Sequence, residues 1–272
     1  MSTKAVDVVL VTGGSSGIGA ATVKMLAQEG KTVYAASRRG TVPEGVSGKV
    51  FPIVMDVTDV YSVNGAVAKI LEAEGRIDAV VCNAGNGIAG PVEQTSVEEG
   101  KYQFETCFWG AHNVIKAVLP SMRENSFGKI ITISSVAALV PIPFQTFYSA
   151  VKSSVLIYTK ALSLEVKPYG IQCCSVLPGD TKTGFTSARK FTAESQNESA
   201  YTKRFKTSVS KMEEDEKSGM PPAKIASAIC KQLNKKRMNP TSTPRADYKF
   251  FSFLVRILPT KLMLWIDGLL YG

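Results

Sequence analysis

Short runs rich in β-branched residues alternate with longer helical patterns through the first two thirds of the chain, and that alternation leaves few folds open. The runs fall at residues 6–12, 32–37, 50–55, 77–83, 129–134 and 171–177, with helical patterns at 18–29, 60–74, 93–123 and 146–167. Near-continuous apolar strands joined by helices predict an α/β fold with a parallel sheet covered on both faces. Crossovers in such sheets are right-handed, and ligands gather at the carboxyl ends of the strands. No repeat or low-complexity linker interrupts the pattern. The 272 residues, 44% hydrophobic and 20% charged, suffice for one large domain or two small ones.

After Pro178 the composition turns polar and basic as far as Gly219, which predicts a long functional loop region, followed by a helix over 222–235. The formal charge is +9, and its placement is uneven: residues 1–181 carry 15 basic and 15 acidic side chains, whereas 182–261 carry 17 and 7. The lysines there are interspersed with Glu213, Glu214, Asp215 and Glu216 and form no nucleic-acid motif. A solvated, anion-attracting face is expected, and no nucleic-acid partner. The five cysteines, Cys82, Cys107, Cys173, Cys174 and Cys230, form no CxxC pair and mostly lie in apolar runs. They read as small core residues in a reducing, hence cytoplasmic, compartment. His112 is the single histidine, so His-based triads and multi-His metal sites are excluded and no metal is expected.

The apolar run at 8–11 is too short for a secretory signal and leads into glycines. The apolar tail at 250–272 is broken by Arg256, Pro259, Lys261 and Asp267. A spanning helix needs about 20 mostly apolar residues, so the tail is not expected to cross a bilayer. Packing within the protein is favoured; peripheral contact with a membrane surface, cover over a substrate site and contact with a second subunit stay open.

The first run ends in Thr12-Gly13-Gly14-Ser15-Ser16-Gly17-Ile18-Gly19, and a helical pattern starts inside that motif. Glycines permit a tight turn, close approach of backbone to a diphosphate and tight packing of helix on strand. Free N–H groups at a helix start attract phosphate. A plain helix N-terminus could look similar, but the position after a first strand favours a dinucleotide. The second run closes with Ala36-Ser37-Arg38-Arg39 and no carboxylate. An acid there would bind the free ribose hydroxyls of NAD, whereas a cation suits the 2′-phosphate of NADP. Arg38 can pair with that phosphate and lie flat on adenine, with Ser37 and Ser15 as further donors beside Arg39. Two solvated arginines in a turn are the alternative.

Tyr148 and Lys152 stand four residues apart in Phe147-Tyr148-Ser149-Ala150-Val151-Lys152, with Ser135 thirteen residues before the tyrosine. On one helix that spacing stacks phenol and ammonium on the same face. A fixed cation stabilises the phenolate and is expected to lower its pKa from about 10.

Taken in order, the glycine motif, Asn83-Ala84-Gly85, Ser135, Tyr148-Ser149-Ala150-Val151-Lys152 and Pro178-Gly179 resemble the short-chain dehydrogenase/reductase family over about residues 5–185. The resemblance implies a single doubly wound Rossmann domain with a mainly seven-stranded parallel sheet. It also implies nicotinamide-dependent hydride transfer between a ketone and a secondary alcohol. Tyr148 becomes the proton donor in reduction, Lys152 holds the nicotinamide ribose and tunes Tyr148, and Ser135 orients the substrate oxygen. Gly13, Ser16, Gly17, Ile18 and Gly19 belong to the diphosphate turn. Asp56, with Val57 beside it, is implied at the adenine amino group, and Asn83, Ala84 and Gly85 at the adenine ribose; stabilising the sheet centre is an equal alternative for the last three. Pro178, Gly179, Thr181 and Thr183 are implied at the nicotinamide carboxamide. Family members commonly pair as homodimers through the helix carrying Tyr148 and the one before it, so a homodimer is expected.

One position departs from the pattern. The family's usual asparagine in an N-x-x-G stretch is replaced in Cys107-Phe108-Trp109-Gly110, and Asn113 comes six residues too late. That asparagine helps hold a water that relays protons to the lysine, so Cys107 puts the relay in question. The apolar stretch Leu139-Val140-Pro141-Ile142-Pro143-Phe144, together with Phe185, Phe191, Tyr201, Phe205 and Met212 in the 180–218 segment, predicts an apolar pocket. A bulky hydrophobic ketone or alcohol is expected, first a hydroxysteroid, with a retinoid or lipid-derived ketone as the alternative. A weakly active NADP-binding regulator and a membrane-peripheral protein are the remaining readings.

Overall fold

All five residues of β1 (Val8–Thr12) are buried, as expected of an apolar run at the centre of a sheet covered on both sides. The computed structural model describes residues 5–271, so residues 1–4 and Gly272, the last residue of the apolar tail, lie outside it. The strands that follow are β2 (Thr32–Ser37), β3 (Val50–Val54), β4 (Ala79–Cys82), β5 (Ile88–Ala89), β6 (Gly128–Ile133), β7 (Ile171–Val176), β8 (Lys190–Phe191) and β9 (Thr241–Ser242). Seven of them form one sheet in the order β3-β2-β1-β4-β6-β7-β9. Every pairing in it is parallel. The strand order reverses between β1 and β4, which opens a crevice at their carboxyl ends. At the opposite end the Asp78 carboxylate accepts the backbone N–H groups of Asp7 and Val8, both at 2.9 Å, and pairs with Arg76, so the start of β1 is pinned beside β4.

Helices cover both faces. α1 (Gly17–Gln28) and α8 (Pro222–Asn234) lie on one, where Val23 and Leu26 meet Ile225, Ile229 and Leu233 beneath Val9, Val11 and Val81. α2 (Val60–Glu74), α4 (Gly110–Glu124) and α5 (Thr146–Glu165) supply the other core, which joins Val67 and Ile70 to Val114, Val118 and Leu162. Asp59 caps α2 by accepting Tyr61 N–H at 2.9 Å, and Gly75 ends it in the left-handed conformation at φ 70°. All five cysteines are free and buried, and burial pushes the thiols of Cys82, Cys173, Cys174 and Cys230 up to about 12, so they stay protonated packing groups.

The doubly wound α/β architecture and the seven parallel strands match the expectation, but two segments differ from it, and a third, the apolar tail, takes a form that the sequence leaves open. The single helix expected over 93–123 is divided. Ser96 and Glu99 form a capping box that starts α3 (Val97–Phe104), and a π-helical turn, Glu105–Trp109, separates it from α4. The polar stretch expected as a long loop contains α6 (Phe185–Ala188) and the sixteen-residue α7 (Thr202–Lys217). Phe205, Ser208, Val209 and Met212 form a narrow buried stripe on α7 at helical spacing, and this outweighs the charge around it. Finally, the apolar tail forms α9 (Ala246–Ile257) and α10 (Thr260–Tyr271). Among the described residues no helix is long and apolar enough to cross a membrane.

Candidate active site

A cavity of about 990 Å³ runs along the carboxyl ends of the strands, from the glycine turn to the tail helices. The turn itself depends on glycine: Gly13 and Gly17 hold φ values of 63° and 54°, and a Cβ on Gly19 would stand 2.2 Å from the Gly13 carbonyl oxygen. Ser16 begins α1 without a side-chain capping bond, and the first turn holds no acid, so the leading N–H groups are left for an anion. Gly13, Ser16, Gly17 and Ile18 line the cavity. Gly19 packs behind them, and half-buried Ser15 is off the wall.

Arg38 is exposed and also lines the cavity. Ser37 and Arg39 do not: the Ser37 hydroxyl accepts Thr41 N–H at 3.4 Å, and Arg39 lies in the exposed turn. Asp56 and Val57 are likewise off the wall. The Asp56 carboxylate accepts from the backbone N–H and hydroxyl of Thr58 at 3.0 and 2.8 Å; these bonds, with nearby Arg38, hold its pKa below the usual value. Val57 packs against Gly110. Asn83, Ala84 and Gly85 line the cavity, but the Asn83 amide donates to the carbonyls of Thr12 and Gly13 at 3.0 and 3.3 Å. The Thr12 hydroxyl in turn accepts the N–H groups of Asn83 and Ala84, both at 3.0 Å. The side chain therefore braces the sheet centre, as one of the two expected roles requires, while the residues of the turn edge the cavity.

Ser135, Tyr148 and Lys152 converge on the middle of the cavity. The Lys152 ammonium lies 5.6 Å from the Tyr148 ring centroid and donates to the Ile133 carbonyl at 2.9 Å. Ser135 leaves β6 and starts a short turn, its hydroxyl accepting Ala137 N–H at 3.1 Å. Neighbouring Ser134 is committed elsewhere: its hydroxyl donates to the Lys152 carbonyl at 2.7 Å and ties α5 to β6. The expected acidification of Tyr148 is corrected in sign. Burial raises the phenol above its ordinary value; Lys152 and a hydrogen bond with Ser135 oppose that rise without overcoming it.

Cys107 lies on the π-helical turn beside this centre, its sulfur and the Lys152 nitrogen flanking Gly85. The Gln103 amide nitrogen is 3.3 Å from the sulfur and the Asn86 side-chain oxygen 3.4 Å from it. Two amides thus crowd the position where the family carries one, a substitution the sequence pattern alone does not reveal. Asn113, on the other face, donates to the Val57 carbonyl at 3.0 Å.

Pro178, Gly179, Thr181 and Thr183 line the cavity after β7. The Thr181 hydroxyl donates to the Gly179 carbonyl at 2.8 Å, and the Thr183 hydroxyl accepts Phe185 N–H at 3.2 Å. The substrate side is only partly as expected. Val140, Ile142 and Phe185 line the cavity, whereas Leu139, Pro141 and Pro143 border a smaller adjoining pocket. Phe205 and Met212 form a separate small core with Val209 and Ala89, against which Phe144 packs, and Phe191 and Tyr201 lie outside the wall. In their place Phe250, Phe251, Tyr248 and Asp267 close the cavity from the tail, and Tyr102 and Lys190 stack at its rim, 4.4 Å from ammonium to ring centroid. These residues lack a motif; Asp267 alone left a trace, as a charge inside an apolar run.

Known proteins resemble this chain in sequence and fold. The short chain dehydrogenase family model matches residues 7–194. A 3-ketodihydrosphingosine reductase of Bacteroides thetaiotaomicron is 43% identical over 230 residues, 85% of this chain and 84% of its own. A 3-oxoacyl-acyl-carrier-protein reductase of Thermotoga maritima is 36% identical over 186 residues, 66% of this chain and 76% of its own. Among solved structures, a short-chain dehydrogenase from Streptomyces avermitilis superposes with a TM-score of 0.82 at 28% identity, covering 97% of this chain and 98% of its own. With the glycine turn, the Tyr148–Lys152 helix and the parallel sheet on the same frame, the chain belongs to the short-chain dehydrogenase/reductase family of oxidoreductases.

Proposed function

We propose that this protein is an NADP(H)-dependent reductase of a bulky, lipid-derived ketone. The observation that carries the reading is the convergence of Ser135, Tyr148 and Lys152 midway along one cavity, between a glycine turn and an apolar mouth. The uncapped start of α1 and the glycine cradle fit a dinucleotide diphosphate. Arg38, on the wall with no carboxylate at the end of β2, favours a 2′-phosphate and hence NADP over NAD. When bound, such a cofactor supplies the hydride.

The chain's own residues supply the remainder. Tyr148 donates its hydroxyl proton to the oxygen of the ketone as the carbonyl carbon gains hydrogen, leaving a secondary alcohol and a tyrosinate that solvent reprotonates. Ser135 hydrogen-bonds the same oxygen and stabilises its developing charge. Lys152 stabilises the tyrosinate, and its remaining N–H groups suit the ribose hydroxyls of the cofactor. A phenol whose pKa burial raises is well suited to give up its proton only when the alkoxide forms.

A lipid-derived ketone is preferred to a hydroxysteroid because the Bacteroides relative is named for a long-chain lipid ketone, and the Thermotoga relative for an acyl ketone. The apolar mouth formed by Val140, Ile142, Phe185, Phe250 and Phe251 suits an alkyl chain. The test is NADPH and NADH oxidation against long-chain, steroid and retinoid ketones. Consumption of NADPH with long-chain ketones at the highest kcat/KM supports the reading. A steroid preference, or NADH preference, contradicts it.

A further inference from the structure

Asp267 is the most unusual charged group in the molecule. It projects from α10 out of an otherwise apolar run, Leu262-Met263-Leu264-Trp265-Ile266 before it and Gly268-Leu269 after it. The residue is only 4% exposed, and neither carboxylate oxygen has a hydrogen-bond partner among the described residues. It lines both the main cavity and the smaller adjoining pocket, as do Ala137, Val140 and Ile142 of the segment between Ser135 and Tyr148.

The other carboxylates on the cavity wall are all satisfied. Asp180 accepts from the Tyr248 hydroxyl, Glu216 pairs with Arg189, and Asp247 pairs with Arg245. Among the described residues the wall's cations are also engaged or set at the cofactor end: Lys152 holds the Ile133 carbonyl, Lys190 lies over Tyr102, and Arg38 follows β2 beside the glycine turn. Burial raises the Asp267 pKa, and among the described residues no charged side chain compensates it. Leaving a carboxylate buried and unpaired is costly and is tolerated where a ligand completes it. A metal ion is a poor candidate, because the described residues hold no group of three or more His, Cys, Asp or Glu side chains around it. The hydroxyls of Thr146, Ser149 and Ser153 also line the smaller pocket, but Ser149 already accepts Ile142 N–H and Ser153 already donates to the carbonyls of Ala138 and Ser149, and a neutral water leaves the carboxylate's charge uncompensated.

We propose that Asp267 is a substrate-recognition residue that binds the protonated amine of a long-chain amino ketone, whose carbonyl meets Tyr148 in the same cavity. This rests on the ketone-reductase reading and narrows its substrate class. The ammonium replaces the missing cation, and the ion pair gains strength because the carboxylate is buried. A ketone of equal length without the amine leaves the carboxylate unpaired and is discriminated against, because a site built for a charged group rejects the analogue lacking it.

Two measurements test the assignment. The first is kcat/KM for NADPH-dependent reduction of a long-chain 2-amino ketone and of the same ketone with hydrogen in place of the amine. Wild type is expected to prefer the amino ketone by about tenfold or more, and Asp267→Asn and Asp267→Leu to bring that ratio close to unity. An unchanged ratio in both variants overturns the assignment. The second needs no turnover: titration of tryptophan fluorescence, reported by Trp265 two residues away, with dodecylamine and with dodecanol at neutral pH. Wild type is expected to bind the amine about tenfold tighter than the alcohol, and Asp267→Asn to lose the difference. Asp267-dependent amine binding without reduction of any ketone would overturn the reductase reading and keep the subsite. Reduction of ketones with no amine preference in either measurement would do the reverse.

Discussion

The two halves of the cavity are finished to different degrees. On the sheet side, the polar groups around the glycine turn, β6 and α5 are spoken for: Asn83 braces Thr12 and Gly13, Ser134 holds the Lys152 carbonyl, and Lys152 holds Ile133. On the covering side, built from residues after Ala188, lie Arg189 Nη1, Thr192 Oγ1, Ser208 Oγ and both Asp267 oxygens. These are all the buried side-chain polar atoms without a partner among the described residues, and of their residues Asp267 alone lines the cavity itself. A satisfied network is rigid and specifies one geometry, whereas unsatisfied groups are retained at a cost in stability where binding uses them. On the proposed function, the preorganised half carries the chemistry and Asp267, on the cavity wall of the other half, carries substrate selection.

Substitutions at the preorganised half should therefore produce the largest losses. Tyr148→Phe removes the proton donor and keeps the ring, so kcat falls by ~10³ or more while NADP binding, read by fluorescence or calorimetry, stays near wild type. Near-wild-type turnover in this variant would erase the distinction between the halves. Arg38→Asp should raise the KM for NADPH by ~10–100-fold, the loss of a charge-assisted bond plus repulsion, with a much smaller change for NADH. Equal losses for both cofactors would remove Arg38 from the 2′-phosphate.

Smaller effects sharpen the comparison. Because reduction needs Tyr148 protonated, its rate should decline as pH rises through the tyrosine pKa, and alcohol oxidation should increase over the same range. Parallel profiles for the two directions would contradict that role. On the covering side, Asp267→Asn should melt higher than wild type at neutral pH, in the absence of ligand. The raised carboxyl pKa means that ionisation above the unfolded value weakens the fold, and each kcal/mol recovered is about 2–4 °C. That gain should vanish as pH falls toward the carboxyl's unfolded value; a lower melting point at neutral pH would show that the carboxylate is structurally satisfied. Cys107→Asn is expected to change kcat by less than about threefold, near 0.6 kcal/mol, since Gln103 and Asn86 already bring amides to the sulfur. A large increase in turnover would show that the missing amide limits catalysis.

The preorganised half was also the legible one. Its residues lie close together along the chain and obey short periods: Tyr148 and Lys152 on one helix face, glycines where backbone must approach backbone, Arg38 at a strand end. Local geometry dictates such spacings, so they can be read before any tertiary contact is known. The covering half depends on packing between distant segments. On α7, four buried side chains lie among lysines and glutamates, and their stripe is weaker than the polar composition around it. Phe205 and Met212 read as pocket-lining because they are apolar and near the site in sequence, yet they pack on Ala89 as a separate core. Asp267 read as an interruption of an apolar tail; only the fold of α9 and α10 back onto the cavity turns that interruption into a wall residue. The divided helix was half legible, since the Ser96–Glu99 capping box marks the start of α3, while nothing local marks the π-helical turn at Cys107.

The most direct test is the structure of the protein with NADP and an unreactive long-chain ketone analogue. The account predicts the ligand's oxygen within about 2.6–3.2 Å of both the Tyr148 and Ser135 hydroxyls, the range required for proton transfer, with Lys152 on the nicotinamide ribose. A ligand oxygen bound away from Tyr148, or a Tyr148 hydroxyl turned from the cofactor's reactive carbon, would contradict it.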